Sequence, residues 1–296
     1  MSNIDEKKTN KPSRRNRTRL GEIWHRLKRN KGAVVGLGII CILLLVIIYS
    51  LLFISFEDIM VTNANEMLMA PCLKHPFGTD DMGRDLFVRV LYGTRYSLTI
   101  GVVSVTIALI IGVLLGGISG YYGGRVDNLI MRVMDIISTI PGVLLSMVIV
   151  IVFGQSLRNL ILAVSIPTIN NFVRITRASV LTIRDQEYVE AARAIGMPTL
   201  RIIITEVLPN GLSPIIVMAT TMIGSAITVA AQLSFLGFGI PLPTPEWGAL
   251  VSGGRNLMRM APYLCTIPGI FIMCTVLAFN LMGDGLRDAL DPKLKR

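Results

Sequence analysis

The 296-residue sequence is poor in charge and in histidine, and the charge it has is unevenly placed. Asp, Glu, Lys and Arg make up 16% of residues, against about 25% in an ordinary soluble domain. Only two histidines occur, His25 and His75, which excludes a His-rich metal or proton relay. The four cysteines (Cys41, Cys72, Cys265 and Cys274) form no Cys-x-x-Cys pair and are too scattered for a disulfide framework. Three of them lie in or beside apolar runs, where a thiol acts as a small hydrophobe. No Gly-x-x-x-x-Gly-Lys-Ser/Thr phosphate loop is present, so the chain is not itself an ATPase. Nor is there a nucleophile–base set or a metal-ligand cluster, which counts against a membrane-embedded hydrolase.

What is abundant is uninterrupted apolar sequence. Residues 33–54, 96–124, 136–157, 207–245 and 260–283 carry no Asp, Glu, Lys or Arg, in runs of 22, 29, 22, 39 and 24 residues. A helix crossing a ~30 Å hydrocarbon layer needs about 20 such residues. The expectation is an all-α integral membrane protein with six transmembrane helices, at about 33–54, 97–119, 130–153, 157–175, 211–232 and 261–282. The fourth is short, 15 uncharged residues between Arg158 and Arg174 with Pro167 inside. It crosses if both arginines reach back to the headgroups; a re-entrant segment is the alternative.

Charge sets the orientation. Net charge is +10, and 11 of the 29 basic residues precede residue 33. The apolar run that follows is too long for a signal-peptide core and lacks an Ala-x-Ala site, so it reads as an uncleaved first span. With the N-terminus inside, the inner segments hold 22 basic residues and the outer segments 7. Both termini are therefore expected in the cytoplasm. Residues 1–18 read as disordered, and Leu20, Ile23, Trp24 and Leu27 as the apolar stripe of a helix lying at the inner lipid surface, or of a partner-binding helix. The expected organisation is a basic tail with interfacial helix (1–32), the first span (33–54), an outer loop (55–96), a five-span core (97–282) and a C-terminal tail (283–296).

Between the fourth and fifth spans, about 176–210, lies a cytoplasmic segment that crossing alone does not explain. Asp185 to Ile195 reads as one short amphipathic helix, Gly196 as its cap, Pro198 as the start of a second helix from Thr199 to Val207, and Leu208-Pro209-Asn210 as its end. Small side chains at Ala191, Ala192 and Ala194 permit close approach by another surface, and Glu190 and Arg193 offer charges. The segment is either a lever for a soluble partner or a helical hairpin resting on the inner leaflet.

Glu190-Ala191-Ala192-x-x-x-Gly196 followed by Leu208-Pro209 resembles the EAA motif of ABC-importer permeases. Over residues 20–293 the resemblance narrows. His75-Pro76-Phe77-Gly78-Thr79-Asp80-Asp81-Met82-Gly83-Arg84-Asp85 is similar to the outer loop of the second permease subunit of dipeptide, oligopeptide and nickel importers. Leu233 to Pro241 with Glu246-Trp247-Gly248, and Asn280 to Pro292, are similar to later blocks of that family. The sequence departs from the pattern at Glu206 (often His), at Ala230-Ala231-Gln232 (often with Glu) and near Ile169 (often Trp).

The resemblance implies a type I ABC-importer permease fold in a bacterial inner membrane. It implies ATPase coupling through Glu190, Ala191, Ala192, Arg193, Gly196, Leu208 and Pro209. The partners it implies are a second homologous permease, two cytoplasmic ABC ATPases, an extracytoplasmic substrate-binding protein and membrane lipid, with no nucleic acid. ATP and Mg²⁺ would sit on the ATPases, leaving this chain without cofactor or metal. The expected cargo is a di- or oligopeptide, with nickel or a nickel complex as the alternative. An ion-gradient-driven transporter would need acids or histidines within the spans, and the uncharged runs oppose it.

Other features were open to two readings. Asp80, Asp81, Asp85 and His75 suggest either a divalent-ion site or, with Arg84 among them, a hydrogen-bonded loop. Arg132 and Asp135 are spaced to pair on one helix face. Pro141-Gly142 and Pro268-Gly269 mark gate hinges or fixed bends. Ser234, Phe235, Leu236 and Gly237 are the candidate outer gate. Gly112, Gly116 and Gly120 form a small-residue face, turned toward this chain's own core or toward a partner.

Overall fold

The computed structural model describes residues 19–290, and among them the fold is mostly helical. The expected disorder of 1–18 and the last residues of the C-terminal tail fall outside that range. The helices in order are α1 (Arg19–Leu27), α2 (Lys31–Phe53), α3 (Leu86–Tyr122), α4 (Gly124–Ser138), α5 (Gly142–Phe153) and α6 (Leu157–Ile183). They continue with α7 (Glu187–Ala194), α8 (Thr199–Ile202), α9 (Leu208–Phe235), α10 (Trp247–Gly254) and α11 (Tyr263–Leu290). Among the described residues, four stretches are long and apolar enough to cross a membrane: α2, α3, Thr199–Phe235 and α11. The count is five if α4 and α5 are taken as one bent span.

The third expected span, 130–153, is sharply bent in the structure: α4 and α5 meet at 84°. Pro141 lacks the N–H that a continuous helix needs and biases Ile140 toward extended backbone, so the ladder stops at Thr139. Pro268, by contrast, stays inside an unbroken α11. α6 is also unbroken at Pro167. That proline cannot bond the carbonyl of Ala163, and the buried Ser146 hydroxyl of α5 donates to it instead at 2.6 Å.

The Gly112-Gly116-Gly120 face packs against this chain's own α6. A Cβ on Gly112 would stand 2.3 Å from the Phe172 Cβ, and one on Gly116 2.5 Å from the Val173 carbonyl oxygen. Hydrogen in place of a side chain lets α3 and α6 approach backbone to backbone, and around them Ile100, Val105, Ala108, Leu160, Val164 and Phe172 form the main core. A second core joins α2, α3 and α11 through Leu43, Val90, Trp247 and Phe279.

α3 starts eleven residues before its expected span. Asp85 caps it, accepting from the backbone N–H groups of Phe87 and Val88, and its first turns bury Leu86 and Val90 against protein rather than lipid. Two arginines in these first turns are both held. Arg89 donates to Asp80 at 2.8 Å. Arg95 donates to the Ser50 hydroxyl at 2.7 Å and the Ile54 carbonyl at 2.8 Å, where α2 ends, as a cation at a helix C-terminus should.

The chain before α3 is a hydrogen-bonded loop. Asp80 also accepts from Arg84 Nε at 2.7 Å and from the Met82 and Arg84 amides. His75 Nδ1 lies 2.7 Å from Asp85 and its Nε2 3.3 Å from Glu66, which also binds Lys74. Asp80 is thus engaged by two arginines and backbone, Asp85 by the His75 ring and backbone, and Asp81 points outward. At the other end of the bundle α1 folds onto the last turns of α11: Leu27, Ala33 and Ala289 cluster, and Trp24 stays exposed with Lys28 over its ring.

Candidate coupling elbow and translocation face

The segment after α6 folds as an elbow. α7 ends in paired reversed bonds, Gly196 N–H to Arg193 C=O at 3.0 Å and Met197 N–H to Ala192 C=O at 3.1 Å. This is the Schellman arrangement, and it requires left-handed backbone at Gly196, whose φ is +79°. Nothing lies within 4 Å of a Cβ there, so glycine serves the turn and not packing.

The second helix expected to stop at Leu208-Pro209-Asn210 does not stop. From Thr199 the chain runs as α8, a π turn over Ile203–Val207, and α9 as one long helical rod. Pro209 cannot donate to the carbonyl four residues back. The ladder widens just before it, with the Leu208 amide bonding Ile203 C=O. The elbow therefore runs into α9 without an intervening loop.

Val189 and Ala192 face inward, against Val180 and Ile183 of α6 and Ile202 and Val207 of the rod. Of the motif residues, Glu190, Ala191, Arg193, Gly196 and Pro209 are exposed, Leu208 is half-buried in the elbow's own core, and Ala192 is buried. Ala192 thus packs within the elbow itself. Beside the exposed motif residues stand apolar side chains that sequence reasoning passed over, Ile195 at 78% exposure and Leu200 at 69%. Their signal was their hydrophobicity within a segment outside every span.

The elbow is anchored to the end of α3. Arg184 donates to the Gly120 carbonyl at 2.9 Å, and the Arg193 guanidinium lies 5.8 Å from the Tyr121 ring centroid. Nearby, Arg177 grips Asp127 with two bonds of 2.6 Å. The expected Arg132–Asp135 pair does not form. Asp135 pairs with Arg174 of α6 at 2.7 Å, and Arg174 also donates to Asn170 on its own helix.

Two cavities open along α9. The one near the elbow, about 460 Å³, is lined by Val217, Met218 and Thr221 of α9 and by Asp284 and Arg287 of α11. The one at the opposite, loop end, about 370 Å³, is lined by Thr228, Gln232, Phe235 and Leu236 with Val143 and Ile272. Pro214, Val217, Thr221, Thr228, Gln232 and Phe235 recur at helical spacing, so a single stripe of α9 serves both.

Among the candidate gate residues, Phe235 and Leu236 line the loop-end cavity. Gly237 turns away with φ +89°, its carbonyl accepting from Gln155 at 2.6 Å. Ser234 is buried against Gly239. The threonines and Gln232 at one-face spacing in an apolar span were the available sequence signal for the rest of this face. The loop between α9 and α10 is held by buried Glu246, which accepts from the Gly248 and Ala249 amides and from Ser97, and by the Trp247 indole N–H donating to Val90 C=O.

Several apolar helices, a helical elbow outside them and cavities along one helix face define a polytopic membrane permease. Residues 112–296 match the family described as binding-protein-dependent transport system inner membrane component, and residues 18–71 match the N-terminal TM domain of oligopeptide transport permease C. The chain belongs to this family. It is a multi-pass permease subunit of an ATP-driven importer of the bacterial inner membrane, a transport subunit rather than an enzyme, with ATP hydrolysed by partner subunits.

The dipeptide transport system permease DppC of Alkalihalophilus pseudofirmus is 47% identical, over 93% of this chain and 90% of that protein. The di/tripeptide permease DppC of Pseudomonas aeruginosa is 43% identical over 93% of each. The glutathione permease GsiD of Escherichia coli is 42% identical over 94% and 92%. Among solved structures, the inward-facing MetNI methionine ABC transporter aligns with TM-score 0.57 at 18% identity, over 69% of this chain and 97% of that one. That likeness speaks for the fold alone.

Proposed function

We propose that the chain forms one half of the translocation path of an importer for di- or oligopeptides, beside a second homologous permease. Two cytoplasmic ATPases would dock at the elbow, and an extracytoplasmic binding protein at the loop end. The observation that carries the cargo assignment is the identity of 42–47% to permeases named for dipeptides, di/tripeptides and glutathione, which favours peptide over nickel.

In this reading α2, α3, the bent α4–α5 pair, α6, the rod ending in α9, and α11 are six crossings with both termini cytoplasmic. The elbow is then inside the cell. Its exposed Glu190, Ala191, Arg193, Ile195 and Leu200 meet the ATPase. Ala192 and Leu208 hold the elbow rigid through their buried contacts, Gly196 and Pro209 shape it, and α6 and α9 are moved together. Since α9 lines both cavities, one displacement tends to close one end and open the other. Phe235 and Leu236 shape the outer opening. Basic α1 lies at the inner lipid surface.

Reconstitution of the chain with its second permease, two ATPases and binding protein tests the reading. ATP-dependent accumulation of a labelled dipeptide, unaffected by excess Ni²⁺, is the expected result. Uptake of nickel in place of peptide, or uptake by this chain alone, would refute it.

A further inference from the structure

We infer that the cavity at the elbow end is a binding site for the two charged ends of a short peptide that has already crossed the membrane. Arg287 would hold the carboxylate and Asp284 the ammonium. The inference rests on the peptide-importer reading.

The wall contributed by α11 is the reason. Asp284 and Arg287 both line the cavity and stand three residues apart on one helix face, which places their Cβ atoms about 5–6 Å from each other. Among the described residues neither makes an ion pair with the other, and the neighbouring Asp288 is taken by Asn30 at 2.9 Å. An extended dipeptide spans about 7 Å from end to end, so the two opposite charges match its termini in sign, and they stand on side chains rooted within a dipeptide's length of each other. A longer peptide can satisfy only one of them at a time.

The facing wall suits a variable remainder. Met218 and Met222 with Val217, Pro214 and Ile175 make it apolar and adaptable, and the Ser213 and Thr221 hydroxyls stand beside them. A site built this way reads the ends of a peptide and tolerates its side chains. Its volume of about 460 Å³ lies within the ~300–1,000 Å³ of small-molecule sites. The loop-end cavity offers no such pair, since its lining carries no charged residue. A product bound at the elbow end would occupy the space that α9 and α11 must traverse, so accumulated peptide would slow its own further import.

The complete transporter in proteoliposomes, with binding protein outside and ATP inside, gives the test. Its lumen is loaded with dialanine, N-acetyl-dialanine or dialanine amide, and the initial uptake rate of a labelled dipeptide is compared with that into an empty lumen. Dialanine should inhibit, and each blocked form should be weaker by about tenfold or more, as loss of a charge-assisted contact implies. Arg287→Gln should erase the discrimination against the amide alone, and Asp284→Asn that against the acetyl form alone. A merely structural role would not produce that matched pair.

Lack of luminal inhibition, equal inhibition by blocked peptides, or variants that discriminate as the parent does would each overturn the inference while leaving the importer reading intact. Absence of uptake into an empty lumen would instead strike that reading. As a second measure, Ser213→Cys, a lining position that keeps both charged groups, in a chain with its four native cysteines changed to alanine should react with a luminal thiol reagent and be protected by dialanine. Shielding that is independent of peptide overturns the site.

Discussion

Arg177 and Asp127 meet in a two-armed ion pair, 2.6 Å on each arm, that ties the start of α4 to the far end of α6. Ser119 of α3 donates to the same carboxylate at 2.5 Å, so three helices converge on one acid. Loss of a partly buried, doubly bonded pair costs about 1–3 kcal/mol. Arg177→Ala and Asp127→Ala should each lower the thermal midpoint of the detergent-solubilised protein, and the double variant should lose less than the sum. Additive losses would mean that the two groups do not act as a pair.

Glycines that look alike in sequence should behave oppositely. Gly112→Val places carbon where Phe172 already stands, and overpacking of this kind costs about 1–3 kcal/mol or more. Gly269→Ala, also within a helix, meets nothing within 4 Å and should be neutral or stabilising by up to about 1 kcal/mol. Thermal scans of both variants measure the contrast directly.

At the elbow, the requirement at position 196 is conformational. Gly196→Asn, which tolerates left-handed backbone, should keep uptake within about threefold of the parent. Gly196→Val should sever uptake from ATP hydrolysis in the reconstituted transporter. Ile195→Asp leaves the backbone alone and places a charge in the exposed apolar patch, so it should impair the same ratio by weakening ATPase docking. Uptake per ATP at the parent's level in both the valine and the aspartate variant would remove the elbow from coupling.

The loop ahead of α3 should loosen in acid. Hydrogen bonding to Lys74 holds the Glu66 carboxyl below its ordinary value. A carboxylate with a lowered folded value stabilises the loop above the ordinary glutamate pKa of about 4.3 and loses that contribution as pH falls through the lowered value. Hydrogen exchange, with amide rates corrected for pH, should show residues 66–85 opening more readily toward pH 3. In Glu66→Gln that pH dependence should shrink.

The apolar runs and the crowding of cations before residue 33 announced a multi-span membrane protein, because no water-soluble fold can place such stretches. The spacing of Gly196 and Pro198 likewise announced a helix–turn–helix, since both residues act on the backbone of their own segment. Those are local or bulk effects, legible without a fold. Three outcomes required the packed chain: the partner of Asp135, the inward turn of Ala192, and the stripe of α9 that lines both cavities. Each depends on which helix comes to lie beside which, a relation set by backbone approaches such as Gly112 on Phe172. Spacing along one strand of sequence says which residues share a helix face, and only tertiary contact decides what that face meets.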